Sequence, residues 1–261
     1  MKRLFKAIPL LFVFALLLHP CDAAGGSGHD VLLKRAYELQ LQYKETEALA
    51  VYEQILATAP ENYEALCNAS LLHSRMGERY ADDSRKINHF NIAKSYALRA
   101  YELKPADAGS NYAMALSMAL SAQVSGPKQR LAVTNQVKSY LDAALLADST
   151  NADAWHLLGR WYFKMANLNF AEVAATKMIF GGLSQKVTNL DAVYAMENAI
   201  RFNPNKLLYY YDLACIYEEM KNREACASTL QRVLSLNLPF ETKEELELSR
   251  RCKIMLQEQQ K

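Results

Sequence analysis

WHLLGRWYFKMANLNF, residues 155–170, decides the fold, because it has the pattern of one amphipathic helix with a glycine near its centre. Inside a helix Gly is about 1 kcal/mol less favourable than Ala, so Gly159 needs a reason in packing. Trp155 lies one turn before Gly159, and Leu158 and Tyr162 flank it on the same side. This arrangement indicates a point where a second helix comes close and large side chains fill the surrounding space.

The same helical pattern recurs along the chain. Amphipathic helices open at PENYEAL (60–66), NADAWHLL (151–158) and NPNKLLYYYDLA (203–214), and each follows the end of another helix. The composition, with 51% hydrophobic residues and only 9 Gly and 7 Pro in 261 residues, favours helices. The sequence therefore predicts an all-α protein of consecutive helix–turn–helix units. The second helices of these units stop near Pro60, Pro105, Ser149, Pro204 and Pro239.

The residues around Gly159 also resemble a known repeat. The stretch 155–162 matches the tetratricopeptide (TPR) pattern W-x2-L-G-x2-Y. The resemblance implies a right-handed superhelix of antiparallel helix pairs, in which stacked neighbours bury a continuous core. The matching residues are Trp155, Leu158, Gly159 and Tyr162, with Pro204 closing the repeat.

Most of the predicted helix pairs are longer than the TPR period of about 34 residues. The excess falls between the two helices of a pair and predicts lengthened turns at 77–90, 121–131 and 169–189. About five such pairs and a closing helix, ETKEELELSRRCKIMLQEQQ (241–260), account for the chain after its first residues. Because the closing helix is charged along much of its length, we expect it to cap the superhelix at the C-terminus.

A narrower resemblance covers about residues 30–258. The chain resembles the regulator of microtubule dynamics family in LLGRWYFKMANLNF, IFGGL, ENAIRFNPN, LLYYYDLACIYEEMKN and the terminal LPFETKEELELSRR. The resemblance implies a TPR-like domain without catalytic residues. Animal members are associated with microtubules or organelle membranes, and one is linked to lipid binding. The N-terminus differs from theirs and resembles that of exported bacterial relatives, mostly in the Bacteroidetes; in a eukaryote the resemblance would imply a microtubule-associated regulator.

The first 24 residues are typical of a secretory signal peptide. MKRLFK supplies three cations, AIPLLFVFALLL (7–18) is a short apolar run, and small residues follow. The apolar run is too short for a membrane span, which needs about 20 residues. We therefore expect a signal peptide at 1–24, a short flexible linker at 25–30 and one TPR-like domain at 31–258, exported to the periplasm. The alternatives are a lipid anchor on Cys21 or an uncleaved leader that anchors the protein to the membrane.

Charge and motifs argue against several classes of protein. The leader holds Lys2, Arg3, Lys6 and Asp22 of a chain with a formal net charge of +2, so the domain alone has no net charge and no electrostatic basis for nucleic-acid binding. The sequence contains no G-x-S-x-G, H-E-x-x-H or P-loop motif, and its five histidines are scattered. We therefore expect a non-enzymatic protein without a cofactor or a metal.

Four cysteines follow the leader, and they form no CxxC pair. Cys215 and Cys226 fall on successive helices of one predicted pair, which makes them the candidates for a disulfide in an oxidising compartment. We favour buried free thiols. The four residues are Cys67, Cys215, Cys226 and Cys252.

In a TPR superhelix the first helices of the pairs line a concave groove. Arg160 could hold a carboxylate with two hydrogen bonds, and Lys164, one turn further, adds a point charge. The alternative is that both cations only solvate an exposed helix face. Counting from the small packing residues places the following side chains near the groove: Tyr37, Leu71, Tyr112, Leu116, His156, Arg160, Phe163, Tyr211 and Cys215.

The sequence thus predicts a non-catalytic exported scaffold that binds a peptide or protein partner in this groove. A lipid or small-molecule carrier of the cell envelope is the alternative, because the apolar insert AEVAATKMIF (171–180) could line a pocket or contact a membrane peripherally. As part of the core, the insert would instead pack a lengthened helix onto the next pair.

Overall fold

The computed structural model describes residues 25–180, 187–236, 238, 239 and 242–260, and this part of the chain forms twelve α-helices. None of them combines the length and the apolar composition that a membrane span needs. In chain order the helices are α1 (Gly25–Leu41), α2 (Glu45–Thr58), α3 (Tyr63–Arg79), α4 (Asp83–Leu103), α5 (Ala108–Gln123), α6 (Pro127–Ala147), α7 (Ala152–Ala166), α8 (Phe170–Phe180), α9 (Asn189–Phe202), α10 (Leu207–Glu219), α11 (Arg223–Ser235) and α12 (Lys243–Gln259).

The helices pack as consecutive pairs, which confirms the predicted all-α architecture. The pairs are α1 with α2, α3 with α4, α5 with α6, α7 with α9, and α10 with α11. The short helix α8 is inserted between the members of the fourth pair and contacts α6. At the C-terminal end, α12 packs on α10 and α11 as a closing helix.

Short polar side chains determine where several helices begin. Asn62, Asp107 and Asn151 precede α3, α5 and α7, and each accepts a hydrogen bond from a backbone N–H in the first turn. Asn222 does the same for α11. Each bond satisfies one of the donors that a helix start leaves unpaired. The caps explain why the openings PENYEAL and NADAWHLL indicate helix starts in the sequence.

Two of the predicted lengthened turns are wrong, because the extra residues lie in helices. The segments 80–82 and 124–126 are short connections, and the helices that follow them, α4 and α6, each have 21 residues. Asp82 accepts a hydrogen bond from the backbone N–H of Arg85 and so starts α4 directly after the connection. The long repeats therefore arise from longer second helices.

The two other segments predicted to be irregular, 25–30 and 169–189, also contain helix. The predicted linker 25–30 is helical and forms the first turns of α1, where His29 Nε2 lies 3.0 Å from Thr58 Oγ1 of α2. The predicted long connection at 169–189 contains α8. The signal-peptide prediction for 1–24 falls outside the described residues.

Buried apolar side chains form three clusters, which lie between α1 and α4, between α4 and α9, and between α9 and α12. At Gly159 of α7, a Cβ atom would lie 3.0 Å from both Cγ and Cε of Met196 on α9. The missing side chain therefore lets α7 and α9 pack closely, although α8 separates them in the sequence.

All four cysteines in the described residues are free thiols. Burial is the main cause that raises the pKa of each thiol to about 11. The candidate disulfide between Cys215 and Cys226 is therefore not formed.

Candidate functional site

Side chains from α3, α5, α7 and α10 meet on one surface of the superhelix. We call this group the central charged cluster, since its members interact electrostatically across all four helices. These are the first helices of their pairs, which line the concave groove of a TPR superhelix. The cluster consists of Arg75, Glu78, Tyr112, Asp153, His156, Arg160 and Asp212.

Two hydrogen bonds that members of the central charged cluster make connect α7 to α10. His156 Nε2 lies 2.7 Å from Asp212 Oδ2, and the Tyr209 hydroxyl donates to Asp153 Oδ1 at 2.5 Å. The His156 ring also packs on Tyr209, with 4.7 Å between the ring centroids. His156 is 7% exposed. His156, which the sequence predicted to face a ligand, is thus held between α7 and α10 by Asp212 and Tyr209.

Arg160 differs from the other basic residues of the cluster. Arg75 donates to Glu45 at 3.1 Å, whereas Arg160 has no hydrogen bond or ion pair within the described part of the chain. Its side chain is exposed, and it acts electrostatically on Glu78 and Tyr112. The surrounding protein raises the pKa of the Glu78 carboxyl by burial, an effect that Arg160 and its neighbours oppose. Arg160 is therefore a cation in the groove that still has its hydrogen-bond donors available.

An apolar pocket of about 500 Å³ opens beside Arg160. It lies where the C-terminal halves of α5 and α7 meet α6, α9 and α10. A volume of this size lies within the range of about 300–1,000 Å³ that small-ligand sites occupy. Its deeply buried lining consists of Ala122, Val137, Leu157, Met165, Met196 and Ile216.

Three exposed cations stand on the rim of this apolar pocket: Arg160, Lys164 and Arg130. Arg130 donates to the backbone carbonyls of Ala122 and Gln123 at the end of α5, both at 3.3 Å. Lys164 Nζ lies 2.7 Å from Glu172 Oε1 on α8. Asp212, whose carboxylate is bonded to His156, also lines the pocket. The pocket therefore combines an apolar floor with three cations and one carboxylate, and Arg160 is the cation of the three without a hydrogen bond or ion pair in the described residues.

Comparison with known sequences places the chain in a family. The sequence profile described as "Regulator of microtubule dynamics protein 1-3" matches residues 32–260. The chain belongs to this family. No curated protein matches it by sequence.

Solved structures of TPR proteins are similar to this member of the regulator of microtubule dynamics family. A thermophilic TPR protein of Thermus thermophilus superposes with a TM-score of 0.63 at 15% identity, over 88% of this chain and 99% of that one. MamA from Desulfovibrio magneticus gives a TM-score of 0.46 at 13% identity, over 80% and 94% of the two chains. The first of these similarities confirms the TPR-like fold, and at 15% identity it shows the fold alone.

The structure brings some of the predicted groove residues together and separates others. Tyr112, His156 and Arg160 belong to the central charged cluster, and Phe163 and Lys164 line the apolar pocket next to it. Tyr37 lies on α1 and is 55% exposed. Tyr211 lies near the other end of the chain, where the Arg251 guanidinium sits 5.5 Å from its ring centroid. Leu71, Leu116 and Cys215 are partly buried, and Cys215 also lines the pocket.

The residues of the TPR motif lie in packing positions. Leu158 is buried next to Gly159, and Tyr162 contacts Trp161 edge to face. Trp155 donates from Nε1 to the Ser149 carbonyl at 2.9 Å, and the Pro204 carbonyl accepts from the Tyr210 hydroxyl at 2.9 Å. These contacts hold α7 and α10 to the segments that precede them.

The sequence analysis did not predict several residues of the site. On α3, Arg75 and Glu78 continue the predicted stripe of Leu71 by one and two turns, so helical spacing could have found them. Arg130 carries no such signal, because it belongs to α6, the second helix of its pair. Within the described residues, no group of three or more His, Cys, Asp or Glu side chains could hold a metal ion.

The described side chains of the apolar insert neither line the apolar pocket nor form a core layer, and peripheral contact with a membrane stays a prediction. None of the α8 side chains that the structure describes lines the apolar pocket. Phe170 and Met178 are 91% and 88% exposed, and Thr176 is the one buried residue among the described side chains of this helix. The part of α8 that lies closest to the site is its first turn, through the ion pair of Glu172 with Lys164.

Proposed function

We propose that this protein is a non-catalytic, exported TPR scaffold that binds a peptide segment of a partner protein in its concave groove. The observation that carries the proposal is the position of Arg160, a cation without a protein partner in the described residues, beside an apolar pocket of about 500 Å³. Guanidinium groups bind carboxylates with two parallel hydrogen bonds. An acidic peptide group next to an apolar side chain would satisfy both features at once.

The internal bonding of the cluster supports a binding function without catalysis. A general base must be able to approach the proton that it removes. His156 is buried and bonded to Asp212, and Tyr209 is buried and bonded to Asp153. Burial raises the pKa of the Tyr209 hydroxyl, and the neighbouring Asp153 raises it further. These groups hold helices together in the resting protein and leave Arg160 to contact a ligand.

Export to the periplasm is part of the proposal and rests on the pattern of residues 1–24. The cationic start, the short apolar run and the small residues that follow it are the features of a secretory leader. Expression of the full chain fused at its C-terminus to a reporter that is active only after export tests this part separately, and cells that contain the fusion but show no reporter activity would contradict it.

An array of short peptides tests the groove, with binding to the purified domain read out by fluorescence. Arg160→Gln should weaken binding of acidic, apolar peptides by about tenfold or more, the value of one charge-assisted hydrogen bond. Arg250→Gln is the matched control, since the Arg250 side chain is 74% exposed on α12. Equal binding profiles for both variants and the wild type would refute the assignment of Arg160.

A lipid or small-molecule carrier is the second candidate, and the buried apolar floor of the pocket favours it. An acyl chain could fill this floor while the rim cations contact an anionic headgroup. Native mass spectrometry of the gently purified protein should then show a bound species that Ala119→Leu, which adds volume at a partly buried position of the pocket lining, removes. Recovery of the unliganded mass alone would exclude this candidate.

A further inference from the structure

The first turn of α8 contains an acidic residue with two roles. Glu172 accepts a hydrogen bond from the backbone N–H of Asn169 through Oε2 at 3.0 Å, and its own N–H donates to Asn169 Oδ1 at 2.9 Å. This reciprocal pair is a capping box, which starts the helix. The other carboxylate oxygen, Oε1, accepts from Lys164 Nζ at 2.7 Å. Glu172 therefore both starts α8 and neutralises Lys164.

Lys164 belongs to the rim of the apolar pocket, so the ion pair acts on the pocket itself. Glu172 does not line the pocket and reaches Lys164 from outside. The hydrogen bond from Lys164 is the main cause that lowers the pKa of the Glu172 carboxyl, and Arg130 acts in the same direction from further away. Glu172 thus lies in the field of two of the three rim cations, Lys164 and Arg130.

We propose that Glu172 is an internal competitor for the ligand of the apolar pocket: its carboxylate occupies Lys164 in the free protein, and an acidic group of the bound peptide replaces it. The inference rests on the proposed function and adds a selectivity device to it. A neutral apolar peptide gains nothing from Lys164, because Glu172 already neutralises it. An acidic peptide must exchange one carboxylate for another, so binding depends on how well it also contacts Arg160.

The competition can be removed without disturbing the helix. Glu172→Gln keeps a side-chain oxygen that can accept the Asn169 N–H, since Gln also serves in capping boxes, but it removes the negative charge. Glu61→Gln is the matched control, because Glu61 is exposed at the start of α3 and changes the net charge equally. Circular dichroism and thermal unfolding verify that both variants keep the fold.

The probe is a fluorescein-labelled, amidated peptide of alternating Leu and Glu, compared with its Leu and Gln counterpart. Glu172→Gln should raise the affinity for the acidic peptide about two- to fivefold, the range of a partly exposed ion pair, and leave that for the neutral peptide unchanged. In a Lys164→Gln background, Glu172→Gln should have no such effect, because the competition then has no target. Glu61→Gln should behave like the wild type.

The outcomes separate the two proposals. If Glu172→Gln leaves the affinity for the acidic peptide unchanged, the competitor role of Glu172 is wrong and the groove function stands. The same holds if Glu172→Gln raises that affinity equally in the wild type and in the Lys164→Gln background. Failure of the wild type and of Glu172→Gln to bind either peptide overturns the proposed peptide ligand and the competitor with it. Binding of dodecanoate by Glu172→Gln in place of the peptides would also overturn the inference, because the displaced group would then belong to a lipid.

Discussion

Three buried tyrosines offer a graded test of how hydroxyl partners stabilise this superhelix. Tyr52, Tyr209 and Tyr210 are all at most 1% exposed. The Tyr209 hydroxyl donates to the carboxylate of Asp153 at 2.5 Å, and the Tyr210 hydroxyl donates to the backbone carbonyl of Pro204 at 2.9 Å. The Tyr52 hydroxyl has no hydrogen-bond partner in the described residues. Replacing each by Phe removes the same atom from three different environments.

The expected free energies of unfolding follow from the partner of each hydroxyl. Tyr209→Phe should cost about 1.5–3 kcal/mol, because it removes a bond to a charged group. Tyr210→Phe should cost about 0.5–1.5 kcal/mol, the range for a neutral partner. Tyr52→Phe should be neutral or stabilise the protein by up to about 1 kcal/mol, since it deletes a buried polar group that nothing satisfies. Burial also raises the pKa of Tyr52 to about 12, and this shift reflects the same unfavourable environment.

Urea unfolding followed by circular dichroism measures the three variants against the wild type. Their m-values should agree, so that differences in midpoint report stability alone. The Tyr52→Phe variant should be the most stable of the three, Tyr210→Phe the next, and Tyr209→Phe the least stable. A Tyr52→Phe variant that loses as much as Tyr210→Phe, or a Tyr210→Phe variant that loses more than Tyr209→Phe, would refute the reasoning from hydroxyl partners.

Further predictions concern packing, pH and thiol reactivity. Gly77→Ala should lower the free energy of unfolding by about 1–2 kcal/mol, since a Cβ there would lie 2.5 Å from the Phe90 ring; Gly28→Ala, with nothing within 4 Å, is the control in the same urea series. Burial and His73 lower the pKa of His89, so stability should fall as pH drops below about 6.5, and His89→Gln should reduce that fall. Iodoacetamide at neutral pH should label Cys67, Cys226 and Cys252 far more slowly in the native protein than in urea, and equal rates would contradict the burial of these three thiols.

Local signals explain why the helix pairs could be predicted from the sequence. The caps Asn62 and Asn151 act within one helical turn, and the spacing of apolar residues repeats along each helix. The glycine at 159 indicated a close contact, and the structure has Met196 at that point. The lengths of α4 and α6 were harder to predict, because the same extra residues are compatible with a loop or with more turns of helix.

Partners from distant parts of the chain explain why the site was harder to predict than the fold. Helical spacing places His156, Arg160 and Lys164 on one side of α7, but it cannot show which groups face them. His156 meets Asp212 on α10, and Lys164 meets Glu172 on α8. Only Arg160 stays without such a partner within the described residues. Whether His156, Arg160 or Lys164 has a protein partner thus depends on how the other helices pack around α7.

The position of α8 indicates that the insert changes the site and leaves the repeat packing intact. Helices α7 and α9 form a pair through Gly159 and Met196, as two consecutive helices of a TPR unit would. The insert therefore lies outside the interface that holds this pair together. Its first turn nevertheless reaches the pocket rim through Glu172, and Met196 on the far side of the insert forms part of the pocket floor. The insert therefore adds a charged residue beside the apolar pocket and leaves the contact between α7 and α9 intact, which is why we propose that α8 sets the selectivity of the groove.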